Sequence, residues 1–140
     1  MNVSVLTGVR PRPEADDAGA ASIQTVIVYP IVLLLIFGMV QGVLYFHAQN
    51  TAQAIANGAV QAARVEGGSV EAGYQEAAAR LERAGEGVFA DVRIAVDRGA
   101  TTATATVTGL APSIVPGLRG LLIEQTATGP VERFTSEGAP

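Results

Sequence analysis

IVLLLIFGMVQGVLYF, residues 31–46, is the stretch on which the reading of this chain turns. It lies in a long uncharged segment, because no Asp, Glu, Lys or Arg stands between Asp17 and Arg64. A helix of about 21 residues, rising roughly 1.5 Å per residue, crosses the ~30 Å hydrocarbon layer of a bilayer. Residues 23–46 therefore read as a transmembrane helix. This makes residues 1–22 a leader and residues 47–140 a single attached domain. Arg10 and Arg12 precede the span, and the first Arg beyond it is Arg64. By the bias of basic residues toward the cytoplasm, the leader stays inside and the domain lies outside. A secretory signal peptide is the competing reading, since Ala52-Gln53-Ala54 offers an A-x-A cleavage match. The apolar run, however, exceeds the roughly 7–15 residues of a signal-peptide core.

Upstream, Arg10-Pro11-Arg12-Pro13 and then Glu14, Ala15, Asp16 and Asp17 are polar and without apolar period, so the leader is expected to lack regular structure. Downstream, helical spacing continues past the span. Ala48, Ala52, Ile55, Ala56, Ala59, Val60 and Ala63 recur at steps of three and four, beside a polar row of Gln49, Gln53, Asn57 and Gln61. One helix is thus expected to leave the membrane with a stripe of small residues for packing, and Gly67-Gly68 to end it. Within the span, Gly38 and Gly42 form a G-x-x-x-G pair beside Gln41. Small residues on one face let a second helix come close, and an amide there would seek a hydrogen bond. These three are the candidate helix-packing residues.

Ser69 can cap a second helix in which Val70, Tyr74, Ala77, Leu81 and Ala84 make the expected core stripe. The period then changes to two. Val92, Ile94 and Val96 alternate with polar or small neighbours, as do Ala103, Ala105 and Val107 with threonines, which predicts a β-hairpin. Its turn is read at Asp97-Arg98-Gly99-Ala100, with Gly99 supplying a positive φ. Pro112, Pro116, Gly117 and Gly120 make Leu110–Leu122 an irregular bend. A third strand is expected over 123–128, broken by Gly129-Pro130 and resuming at Val131. The fold class is α+β: a transmembrane helix prolonged outside the membrane, a second short helix and a small antiparallel sheet. Two strands alone are marginal in water, so the sheet must pack on the alanine stripe.

Chemistry is sparse. The chain of 140 residues has no Cys, one His (His47), and nine basic residues, all Arg and unclustered, with a net charge of -4. No thiolate metal site, nucleic-acid footprint or P-loop is visible. The carboxylates are scattered, and His47 has no acidic neighbour at the edge of the apolar run. The chain reads as a non-enzyme, with no catalytic residue, metal, cofactor or small-molecule substrate.

The order of these features resembles the TadE-like proteins of tight-adherence (Flp-type) pilus systems. Gly19-Ala20 is similar to the family's leader cleavage point. Gln24 stands fifth after it, where the family has an acidic residue; Pro30 stands at the family's proline, where it would kink the helix. The run TAQAIANGAVQAARVEGG, residues 51–68, is similar to the post-membrane helix, and TATVTGLAPSIVPGL and EQTATGPVERF look like the late strand, bend and final strand. The resemblance implies a pilin-like minor pilin or pseudopilin in the cytoplasmic membrane. Its implied partners are lipid and other pilin-like subunits or assembly proteins. In such proteins the glutamate is thought to neutralise a neighbour's new N-terminal amine; Gln24 can hydrogen-bond but brings no charge. The alternative from another class is a single-pass protein whose outer domain binds a partner or ligand outside any pilus, and a third reading is a small secreted protein.

Overall fold

The computed structural model describes the backbone of residues 15–115 and 117–132, and side chains from residue 24 onward. The elements are α1 (Ala15–Arg64), α2 (Val70–Ala84), β1 (Ala90–Arg98), β2 (Thr102–Leu110) and β3 (Leu122–Pro130). The architecture is α+β, as expected. The chain divides into two units, one ending at Ile36 and the other beginning at Phe37.

In the first unit, α1 starts at Ala15, so the end of the leader is helical where no structure was expected. Residues 1–14, with Arg10 and Arg12, lie outside the described residues. From Gln24 to Ile36 every side chain of α1 is exposed.

In the second unit the same helix becomes the spine of a core. Ala48, Ala52, Ile55, Ala56, Ala59, Val60 and Ala63 are all buried, the stripe that the spacing predicts. Burying these side chains removes apolar area from water at about 25 cal/mol per Å². The polar row bonds along its own helix, Gln49 to the Tyr45 hydroxyl at 3.0 Å and Gln53 to Asn57 at 3.3 Å.

The sheet has the order β1-β2-β3, antiparallel throughout. Ala103, Ala105 and Val107 of β2 and Ile123 and Ala127 of β3 join the buried cluster with the α1 stripe. On the opposite face, threonines pair across β2 and β3, with Thr104–Thr128 hydroxyls 3.3 Å apart and Thr106–Thr126 3.0 Å apart. Such directly opposed pairs are worth roughly 0.2–1 kcal/mol each.

Three local expectations need correction. Gly99 is not among the glycines with positive φ, which in the described residues are Gly67, Gly85, Gly87 and Gly117. The ladder instead runs on through Arg98↔Ala103, and Gly99 N–H closes the turn on the Thr102 carbonyl at 2.8 Å. β3 is not broken at Gly129-Pro130, for Gly129 pairs with Ala103 and Pro130 with Thr102. Because β3 is an edge strand and Pro130 its last residue, the missing N–H costs no interior ladder bond. Gly129 also lets β3 approach α1, since a Cβ there would lie 3.0 Å from Val60 Cγ1 and 3.1 Å from Arg64 Cδ.

The third correction concerns α2. Ser69 caps it as expected, its Oγ accepting from Ala72 N–H at 3.0 Å. Of the expected stripe Ala77 is buried and Leu81 packs on the core, but Tyr74 is 48% exposed and Val70 44%, and Gly73 is buried in their place. The reason is close approach: a Cβ on Gly73 would sit 2.9 Å from the Ala59 carbonyl oxygen. Two helices this near leave no room for a tyrosine between them, so Tyr74 is set to the side.

Candidate functional site

The Gly19–Ala20 peptide lies in the first turns of α1, in helical backbone. A protease that takes its substrate extended must open those turns. Gln24 follows on the exposed, uncharged part of the helix. α1 continues through Pro30, which has no N–H to offer the Val26 carbonyl. Its ring thus leaves one acceptor without its intrahelical donor.

Gly38 and Gly42 open a smooth patch on α1. A Cβ added to either would meet no atom within 4 Å. Gln41, between them in sequence, is already engaged within the chain. Its Nε2 donates to the Pro112 carbonyl at 3.0 Å, and its Oε1 accepts from the Ile114 N–H at 3.1 Å. One carboxamide thus answers both a donor and an acceptor of the irregular bend between β2 and β3. The bend is also tied across its base by Ala111 N–H to the Leu121 carbonyl at 2.8 Å.

At the far end of α1, the orphan carbonyls of the last turn are met by tertiary partners. Arg98 Nε donates to the Ala63 carbonyl at 2.6 Å, and Glu132 N–H to that of Arg64 at 2.9 Å. The sheet therefore runs alongside α1, its bend end at Gln41 and its hairpin end at Arg64. Neither the Gln41 clamp nor the Arg98 cap was signalled by sequence. The partners lie 71 and 35 positions apart, far beyond any local spacing rule.

Among the described residues the ionisable groups form partly exposed ion pairs. Glu76 pairs with Arg80 at 2.7 Å and with Arg83 at 3.5 Å, and Arg64 with Glu132 at 3.7 Å. Such partly exposed pairs are worth about 0–1 kcal/mol. His47 is exposed, and its carbonyl accepts from the Thr51 hydroxyl. Among the described residues no group of three His, Cys, Asp or Glu is placed to hold a metal ion. The depression between α2 and β1 is lined by both apolar and charged side chains, Leu81, Val92 and Ile94 beside Glu82 and Arg93.

What is distinctive is thus α1 itself. Its most apolar window, long enough to cross a membrane, has none of its surface buried. No curated protein and no solved structure matches the chain. A family model does, over residues 19–64, which begin at Gly19 and end with the last residue of α1. The strands and the bend lie outside that match. Over this stretch, a helix long and apolar enough to cross a membrane that runs on into a buried alanine stripe, the chain is similar to the TadE-like protein family, the family it resembles in sequence.

Proposed function

We propose that the protein is a structural, non-enzymatic minor pilin or pseudopilin of a tight-adherence pilus or a related secretion apparatus. In this reading it is anchored in the cytoplasmic membrane, N-terminus inside and outer domain outside. The observation that carries it is α1, a 50-residue helix whose exposed apolar part continues into the spine of the outer domain. That construction suits a subunit that waits in the bilayer and can later exchange lipid for the helices of neighbours. Gly38 and Gly42 supply a face on which another helix can approach closely. Gln41, held to the bend, borders that face.

Cutting between Gly19 and Ala20 would remove the charged leader and leave an amine beside the membrane, where an unpaired charge is costly. Gln24 can accept a hydrogen bond from such an amine without neutralising it. The subunit is therefore expected to be cut yet to assemble weakly, as a minor or initiating component. Mass spectrometry of the membrane-extracted protein tests this. The expected mature chain begins at Ala20, with Gly19→Leu uncut, and with Gln24→Glu cut normally and recovered in sheared filaments in larger amount. A mature chain that begins at Met1 or Asn2 would overturn the pilin reading in favour of a plain anchored domain.

A further inference from the structure

We propose that the bend between β2 and β3 is a second membrane contact, a foot through which the outer domain rests on the lipid surface. This inference depends on α1 spanning the bilayer. Within the unit that begins at Phe37, Met39, Val40 and Val43 keep exposed apolar surface on both sides of Gln41, so the end of the apolar span is where that amide stands. Beyond it Phe46 is 65% exposed and stands edge to face at 6.1 Å with Tyr45, which itself packs on the core.

Gln41 fixes Pro112 and Ile114 to that level through its two hydrogen bonds. The bend they belong to does not hide its apolar residues. Leu118 is 60% exposed, Leu121 47%, Leu122 68% and Ile114 36%. The threonine face of the sheet, by contrast, ends in polar hydroxyls. The only charge between Arg98 and Glu124 is Arg119, also exposed, a residue type that lays its stem on apolar surface and its guanidinium among phosphates. An exposed apolar cluster tied to the point where a span leaves the membrane has lipid as its nearest apolar medium. The occupant is thus the lipid interface, and the amide of Gln41 sets the depth of the foot.

The chain has no cysteine, so single substitutions report single sites. The full chain, reconstituted in vesicles of phosphatidylethanolamine and phosphatidylglycerol, is labelled with a polarity-sensitive fluorophore at Leu118→Cys, Leu121→Cys, Thr104→Cys or Leu34→Cys. Spin-labelled lipids are then added as quenchers. Labels at 118 and 121 are expected to be quenched at least threefold more than the label at 104, at every protein-to-lipid ratio. Gln41→Met, which keeps length but removes both hydrogen bonds, should at least halve the quenching at 118. Quenching at 34 but no more at 118 than at 104 would overturn the foot and leave the anchor standing. No quenching at 34 would remove the anchor and the foot together. Burial of 118 that vanishes on dilution into excess lipid would assign the cluster to a second copy of the chain and overturn the lipid assignment. Unchanged quenching in Gln41→Met would overturn the role given to that amide.

Discussion

Residues 24–40 and residues 48–63 belong to one helix, yet they treat apolar side chains in opposite ways. Leu34 is 70% exposed and Met39 75%, whereas Ala52, Ala56 and Ala59 are fully buried. In a protein surrounded only by water this would be an inversion, with large residues outside and small ones in the core. It is resolved when each part has its own medium. Lipid accepts bulky side chains without needing a fitted partner, so Leu, Ile and Val are suitable there. The second part is covered by α2 and the sheet, and at close range only small residues let backbones approach. The exposed half of α1 is thus matched to a solvent and the buried half to particular neighbours.

That contrast can be broken by deletion. Ile55, 1% exposed, is among the largest fully buried side chains. Ile55→Ala should lower the stability of the unit from residue 37 onward by about 2–5 kcal/mol, as cavity-forming substitutions do. Denaturant unfolding of the detergent-solubilised chain measures it. Leu34→Ala should leave the midpoint where it was, and equal shifts from both would erase the distinction.

A charge probes the other half. Leu34→Arg should raise the free energy of membrane insertion by about 2.5–3.5 kcal/mol, the range for Arg at a helix centre. Asn57→Arg, on the exposed side of the covered part, should not. Alkaline extraction of membranes reports the bound fraction, and retention of the Leu34→Arg chain at the wild-type level would speak against lipid around residue 34.

The finest contrast is a single methyl group. Gly73→Ala places a Cβ 2.9 Å from both the Ala59 carbonyl oxygen and Val96 Cγ1, an overpacking expected to cost about 1–3 kcal/mol. Gly38→Ala adds the same atom in open space. Thermal melting should separate the two, and a neutral Gly73→Ala would show that α2 can move away from α1 freely.

The sequence by itself determined the long apolar helix, the stripe from Ala48 to Ala63, the Ser69 cap and the alternation of β2. Each depends on a local period of 3.6 or 2, or on one side chain reaching its own backbone, and such signals are complete within a few residues. The TadE-like resemblance was legible for the same reason, since the matched stretch is the helix that carries these periods. Only the tertiary structure decided that Gly73 rather than Tyr74 faces α1, that the ladder continues across Pro130, that Arg98 caps the end of α1, and that Gln41 clamps a bend more than 70 positions away. Those choices depend on how near two elements come and on which unpaired carbonyl or N–H is then within reach. A period can name the face of a helix, but the distance to what covers it is set by every residue between them.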